Sequence, residues 1–262
     1  MKKLTLLSLI LFFTSAVTAQ NLSKTHPDLL KNAWPAKWIA PSTSSLQNYG
    51  VFHFRKAFNI AEVPGEFVIN ISADNRYRLF VNGVAVTSGP ARGDVSHWRF
   101  ETLDIAPFLT KGKNIVAVQV WNFGENRAWA QITHQTGLVI QGNTSREEIL
   151  NTDTSWKVIE NTAYTPVANI AHITGPGDLV FAQRYPWNWE KADYDDKNWS
   201  SAAETETAVP AGATAFGVRR LVQRTIPLPE EKLQKVTTIR RFEGLPANDD
   251  FLTGKGIARK RS

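Results

Sequence analysis

The chain has 262 residues, of which 42% are hydrophobic and 11% aromatic, and it contains nine tryptophans but no cysteine. The lack of cysteine excludes both a disulfide framework and a thiolate metal site. The formal net charge is +6, but residues 219–262 carry 11 basic and 5 acidic residues, so charge is balanced elsewhere and a basic nucleic-acid-binding face is not expected.

The first 19 residues have the three regions of a secretory signal peptide. Lys2 and Lys3 precede the apolar run 4–13, and small residues follow up to Ala19. The run is too short to span a membrane, and no later segment is long enough to do so. We therefore expect cleavage near Ala19, a periplasmic or secreted protein without a membrane span, and a short lead-in over residues 20–33.

Eight segments with strand-like composition follow, each bounded by glycine, proline, asparagine or aspartate. In chain order they are 51–58, 66–72, 77–81, 84–88, 97–103, 115–121, 129–133 and 137–141. Their number and regular spacing are typical of a β-sandwich.

One pair of these segments predicts a β-hairpin. Apolar side chains alternate with other residues along 76–81, which indicates a strand with two different faces. Asn82 and Gly83 then provide the positive φ angles of a two-residue turn, and Val84 starts the returning strand. Turn formation is the expected role of Asn82 and Gly83.

The second half of the chain is richer in loops. Residues 185–203 include three tryptophans, and the polar turn 195–199 is expected to place one of them on the sandwich. A new strand pattern begins at 218–226, before the proline-containing linker 227–229. We therefore predict a sandwich over 34–203, a linker and the start of a second β domain over 204–250, and a basic, disordered tail over 251–262.

Four motifs carry a resemblance to a known family: SADNRYRLFVNG at 72–83, GPARGDVSHW at 89–98, LDIAPFLTKGKNI at 103–115 and VQVWN at 118–122. In this order they resemble the N-terminal region of bacterial α-L-rhamnosidases, which remove terminal L-rhamnose from plant polysaccharides and glycosides. The resemblance covers roughly residues 34–250 and implies a mostly β fold, a galactose-binding-like jelly-roll β-sandwich followed by a partial second β domain. Sugar-binding domains of β-galactosidase-type enzymes share the turn and the glycine-asparagine strand entry, so they remain an alternative.

The resemblance also implies that catalysis belongs to another part of such an enzyme. The acid and base carboxylates of the family lie in a later (α/α)6 barrel, to which nothing in this sequence corresponds. Hydrolysis of a glycoside requires two carboxyl groups that face each other, whereas the acidic clusters here lie in polar turns: Glu147-Glu148, Asp193, Asp195-Asp196 and Asp249-Asp250. We expect an inactive, truncated front part that is normally joined in cis to a C-terminal catalytic barrel.

Sugar sites on sandwiches combine an aromatic face with amide and carboxylate groups. Seven residues at predicted strand ends or loops could form such a site: Asp74, Asn75, Arg92, Asp94, His97, Asn122 and Trp129. We therefore expect a non-catalytic domain that recognises a carbohydrate. The resemblance implies that this carbohydrate is a rhamnose-containing glycan. A purely structural sandwich, which supports a barrel and binds no sugar, remains an alternative.

Some of these residues could have a purely local role. Asp74 and Asn75 could form an Asx turn instead of binding a ligand. They are also the candidate ligands for calcium, but two residues fall short of the oxygen cage that this ion requires, so no cofactor is expected. The tripeptide Arg92-Gly93-Asp94 spells an adhesion motif, but in this polar loop we expect it to form a turn.

Overall fold

The computed structural model describes residues 24–42, 45–167 and 173–231. The chain divides into two compact units, Met1–Leu228 and Pro229–Ser262. The expected signal peptide and basic tail lie outside the described residues, as does most of the second unit. Within the described part, no helix is both long and apolar enough to cross a bilayer.

Strands dominate the described part of the first unit. In chain order they are β1 (Lys37–Ala40), β2 (Gly50–Ile60), β3 (Val68–Asp74), β4 (Arg76–Val81), β5 (Val84–Gly89), β6 (Trp98–Asp104), β7 (Gly112–Asn122), β8 (Gly137–Gly142), β9 (Lys157–Glu160), β10 (Tyr164–Val167), β11 (Gly177–Val180), β12 (Ser200–Ser201), β13 (Ala203–Thr207), β14 (Val209–Pro210) and β15 (Arg220–Gln223). Short 3₁₀ helices lie at Pro27–Leu30, Ala106–Phe108, Gly124–Asn126, Glu147–Leu150 and Ala182–Arg184.

Two sheets pack face to face as a sandwich. The seven-stranded sheet has the order β13-β1-β8-β3-β6-β15-β14, and the six-stranded sheet has the order β12-β9-β2-β7-β4-β5. β10 and β11 form a separate two-stranded sheet. The expected mostly β sandwich is therefore confirmed.

The alternation of side chains divides the apolar residues among three clusters. In β7, Val116, Val118 and Val120 point into the core between the sheets, while Ile115 and Ala117 point to the other face. Because successive residues of a strand face opposite sides, both sheets also have an apolar outer face that must be covered. Trp189 and Trp199 cover the six-stranded sheet, as the tryptophan-rich segment predicts. A second outer cluster lies on the seven-stranded sheet, and it includes Trp34, Trp38, Trp98, Phe100 and Leu221.

The predicted hairpin is confirmed as β4 and β5. Asn82 and Gly83 both have positive φ angles, 50° and 83°, as a type I′ turn requires. The Asn82 side chain also ties the turn to β7, because its Oδ1 accepts a hydrogen bond of 2.9 Å from the backbone N–H of Ile115. Asn82 is therefore a structural residue.

Two predictions are corrected. Residues 129–133 form an irregular loop, not a strand. The Gln131 N–H donates to the carbonyl oxygen of Ala128 within the loop, and the Thr133 hydroxyl donates to the side chain of Asp74, so these bonds do not form a strand ladder. The sandwich also continues past the predicted boundary at Ala203: β13 pairs with β1, and β15 lies parallel to β6 in the same sheet. Residues 218–226 therefore belong to the first unit, and the buried Leu221 is part of the outer cluster of the seven-stranded sheet.

Candidate functional site

Several loops meet at the end of the sandwich where β3 passes into β4. The connection at Asp74 and Asn75 leads from the seven-stranded to the six-stranded sheet. The loops that follow β5 and β7 reach the same end, since residues of both line one pocket there. All seven residues predicted from sequence lie in these loops or at the strand ends that enter them. His97 is the last residue of the loop between β5 and β6.

Asp74 is an interior residue. Its Oδ2 accepts hydrogen bonds from the backbone N–H groups of His134 and Gln135, at 2.7 and 2.9 Å, and its Oδ1 accepts one from the Thr133 hydroxyl at 2.8 Å. Arg219 lies 3.5 Å from the same carboxylate, and both side chains are fully buried. The carboxylate thus holds the loop 131–136 in place, and none of its surface reaches solvent where a sugar or a metal ion would bind.

Asn75 and Asn122 have a similar role in the neighbouring loop. Both are fully buried. Asn75 Oδ1 accepts a hydrogen bond of 2.7 Å from the Phe123 N–H, and Asn122 donates to the backbone oxygen of Leu46 at 2.9 Å and to Thr136 Oγ1 at 2.8 Å. The sequence pattern identifies residues that do gather in one place, but the structure makes them the support of the site and not its surface.

Asp94 and His97 form an exposed turn. The Asp94 carboxylate accepts hydrogen bonds from the backbone N–H groups of Ser96 and His97, at 2.7 and 2.9 Å. A Cβ atom on Gly93 would lie 2.1 Å from the carbonyl oxygen of His97, so only glycine fits this close approach. The turn thus spans residues 94–97, so of the tripeptide Arg92-Gly93-Asp94, for which the sequence predicts a turn, only Asp94 belongs to one.

The surface of the site is a pocket of about 180 Å³. It is lined by Arg76, Arg92, Phe123, Ala128, Gln131, Thr174, Gly175 and Pro176. Of these, the sequence predicts only Arg92. Arg76 could be found from its position directly after Asn75, at a strand start that faces the loops. The contribution of residues 174–176 comes from a distant loop without a recognisable motif.

Next to this pocket, a buried carboxylate fixes the position of Arg92. Glu101 accepts hydrogen bonds from the Tyr77 hydroxyl and the Ala91 N–H, both at 2.8 Å, and from Arg224 at 3.2 Å. Burial raises the pKa of Glu101 above its ordinary value, although these three donors favour the ionised form. The bond to Ala91 anchors the backbone directly before Arg92.

A second pocket, of about 300 Å³, adjoins the first and shares Ala128 with it. It is lined by Glu125, Arg127, Ala128, Trp129 and Ile132. Trp129 is 76% exposed, which is unusual for so large an apolar side chain. The expected aromatic platform is thus at the surface, beside the pocket that contains the two arginines.

In the described residues, no group of three or more histidine, cysteine, aspartate or glutamate side chains is arranged to hold a metal ion. The calcium candidates Asp74 and Asn75 are buried and bond to protein donors. The arrangement therefore offers cationic and amide hydrogen-bond donors next to an aromatic face, which suits an oxygen-rich ligand.

Comparison with known families gives a match in sequence. The model of a family described as the α-L-rhamnosidase N-terminal domain matches residues 65–221. A comparison with curated proteins finds no match.

Among solved structures, the chain is similar to a GH78 family rhamnosidase of Bacillus sp. GL1, with 26% sequence identity and a TM-score of 0.66, over 75% of this chain and 20% of that one. An α-L-rhamnosidase from Dictyoglumus thermophilum has 20% identity and a TM-score of 0.56, over 74% of this chain and 23% of that one. An α-L-rhamnosidase from Aspergillus terreus has 19% identity and a TM-score of 0.53, over 72% and 22%. The last two share the fold, and the chain spans about a fifth of the length of each of these three proteins.

Proposed function

Because the chain belongs to the α-L-rhamnosidase N-terminal domain family, we propose that it is a non-catalytic part of an α-L-rhamnosidase-like glycoside hydrolase and recognises rhamnose-containing plant glycans. The observation that carries this proposal is the exposed Trp129 next to a pocket of hydrogen-bond donors. An indole face can pack against the C–H groups of a sugar ring, while Arg76, Arg92 and Gln131 can bond to its oxygens.

The buried hydrogen bonds that hold the loops of the site also favour binding. Sugar binding requires that the loops keep their positions without the ligand, because ordering them on binding would reduce the affinity. Asp74, Asn75 and Asn122 hold the loops 123–136 through buried hydrogen bonds. The site is therefore preorganised by residues that never touch the ligand.

We do not propose hydrolysis. Retaining and inverting glycosidases both need two carboxyl groups across the scissile bond. Among the described residues, the lining of the pocket that contains Arg76 has no carboxylate, and the lining of the pocket that contains Trp129 has one, Glu125. We expect the purified chain to release no rhamnose from an aryl rhamnoside, and turnover at a rate typical of enzymes would contradict this.

Binding is tested by affinity electrophoresis of the purified chain in gels that contain a rhamnose-rich polysaccharide, with a rhamnose-free glucan as the control gel. We expect retardation in the first gel only, and a Trp129→Ala variant should bind on the order of tenfold more weakly, which corresponds to about 1.4 kcal/mol. The matched control is Trp187→Ala, because Trp187 is 61% exposed but lines neither pocket.

Two results would contradict the proposal. Equal mobility of the chain in both gels would favour the purely structural role, in which the sandwich only supports another domain. Equal weakening by Trp129→Ala and Trp187→Ala would mean that the pocket beside Trp129 is not the site.

We also propose that the protein is exported through the signal peptide at residues 1–19. Expression of the full-length chain in a bacterium, followed by mass analysis of the periplasmic and secreted fractions, should recover a chain that begins at Gln20. An intact Met1 in the cytoplasm alone would contradict export.

A further inference from the structure

The pocket lined by Arg76 and Arg92 contains two guanidinium groups without a counter-ion. Neither side chain has a hydrogen bond or an ion pair with any described residue. The buried arginines of the described part are engaged: Arg55 pairs with Asp196, Arg219 with Glu206, and Arg224 with Glu101. The lack of partners thus sets the arginines of this pocket apart from the buried ones.

Glu101 is the carboxylate that interacts electrostatically with Arg76, but it does not neutralise the charges of Arg76 and Arg92. Glu101 is fully buried and does not line the pocket. Its oxygens already accept bonds from Tyr77, Ala91 and Arg224. The two guanidinium groups therefore keep their donors available toward the pocket.

Electrostatics indicate that Arg76 is held at an energetic disadvantage. Its side chain is half-buried, and burial, together with the positive charge of Arg92, lowers the pKa of Arg76 below its ordinary value, against the opposing field of Glu101. Arg92 is exposed, and an anion between the two arginines would offset their repulsion and accept hydrogen bonds from both guanidinium groups. The two positive charges at one pocket therefore favour an anionic ligand over a neutral one.

We propose that this pocket binds the carboxylate of an acidic saccharide, a hexuronic acid unit within the recognised glycan. The inference rests on the proposed function and specifies its ligand: the uronate occupies the arginine pocket, and the neighbouring sugar unit packs against Trp129. A planar carboxylate matches the planar fork of a guanidinium group, which can bind both of its oxygens.

The remaining lining favours a sugar acid over a free inorganic anion. Phe123, Ala128 and Pro176 give the pocket an apolar side. This side can pack against the C–H groups of a sugar ring, whereas phosphate and sulfate have no apolar groups that could use it. Gln131 adds an amide that can bond to hydroxyl groups. At about 180 Å³ the pocket is smaller than typical sites for drug-sized ligands, so it suits one sugar unit.

The test compares a rhamnose-uronate oligosaccharide with the same oligosaccharide after reduction of its carboxyl groups to primary alcohols. Titration calorimetry of the full chain should show at least roughly tenfold tighter binding of the acidic form at low ionic strength. This preference should shrink as salt is added, because the paired charges are partly exposed.

Variants of the two arginines test whether the preference for the acidic oligosaccharide comes from this pocket. Arg76→Gln and Arg92→Gln should each abolish most of this preference for the acidic form, because glutamine keeps a hydrogen-bond donor at these positions but carries no charge. The matched control is Arg146→Gln, which removes the same charge from a different pocket, formed by residues 60–65 and Arg146. This pocket adjoins the end of β2 at Ile60, whereas the arginine pocket adjoins the opposite end of the β2–β7 pair, where Gly50 is opposite Asn122.

Each failure has a distinct meaning. Equal affinity for the acidic and reduced forms would overturn the uronate inference and leave the proposed function intact, whereas binding of neither form would overturn both. If inorganic phosphate or sulfate competes as well as free galacturonate, the pocket is a general anion site and the saccharide assignment is wrong. A loss in Arg146→Gln as large as in Arg76→Gln would also overturn the inference, because it would reflect net charge alone.

Discussion

The guanidinium group of Arg219 lies 3.5 Å from the Asp74 carboxylate, and both side chains are fully buried. The same guanidinium lies over the Trp38 ring, 3.6 Å from its centroid, and 3.2 Å from Glu206. Arg219 precedes β15, which the sequence pattern assigns to the start of a second domain. This buried pair therefore joins the last strand of the sandwich to the residue that holds the loops of the candidate site.

Arg219→Met should strongly destabilise the fold. It leaves the fully buried Asp74 carboxylate without its cation, and the loss of one partner of a buried pair costs about 3 to 5 kcal/mol. Glu206 is partly exposed and keeps His134 as a partner. The free energy of unfolding from urea titration measures this. The control is Lys197→Met, because the pair of Lys197 and Asp195 is exposed and should contribute little. Equal stability of the two variants would show that the buried pair is not a stabilising contact.

A chain that ends at Ala203 should fail to fold cooperatively. It lacks most of β13 and all of β14 and β15, together with the Arg219 that pairs with Asp74 and the Arg224 that pairs with Glu101. A chain that ends at Glu231 keeps all of these contacts and should give one sharp thermal transition. Circular dichroism melts of the two fragments make the comparison. A sharp transition in the shorter fragment would support the boundary that the sequence predicts.

The stability of the fold should fall as the solution becomes acidic, in part because of His53. The ring is buried and stacks on Trp189, with centroids 3.9 Å apart, and burial lowers the pKa of His53 to about 3. Between about pH 6.5 and pH 3 the unfolded chain binds a proton that the folded chain does not, so the free energy of unfolding decreases by up to about 1.4 kcal/mol for each pH unit as the pH falls. Urea titrations across this range should show a shallower decrease for His53→Gln. An identical slope in both proteins would exclude His53 as the cause.

Arg76→Gln should weaken binding of the acidic saccharide without weakening the fold. The side chain makes no hydrogen bond or ion pair with the described residues, and burial and the charge of Arg92 both disfavour its charged form. The free energy of unfolding at low salt should therefore stay within about 0.5 kcal/mol of the parent protein or increase. Thermal and urea unfolding, measured without ligand, provide the test. A marked loss of stability would show that Arg76 has a structural role.

Local signals predict most of the fold. The β4–β5 hairpin, the long strands β2 and β7 and the tryptophan-rich cover follow from the sequence because period-two alternation and the Asn82-Gly83 turn depend on neighbouring residues alone. The strand predicted at 129–133 is wrong because short apolar runs resemble strands whether or not a partner strand is beside them. Trp129 nevertheless lies at the surface, as a platform for a sugar ring must. The sequence indicates this exposure, because the residues that flank Trp129 lack the regular alternation of a buried strand.

The amino-acid sequence by itself determined that this is an aromatic-rich, mostly β protein of a rhamnosidase-like type, and that polar residues gather near the end of β3. Only the tertiary structure decided which of them face solvent. Asp74, Asn75 and Asn122 became buried supports because their partners come from other loops, and Arg224 reaches Glu101 across 123 positions of the chain. Such distant pairings leave no periodic pattern in the sequence, since they depend on how the sheets pack. Arg76 and Arg92 meet in one pocket for the same reason.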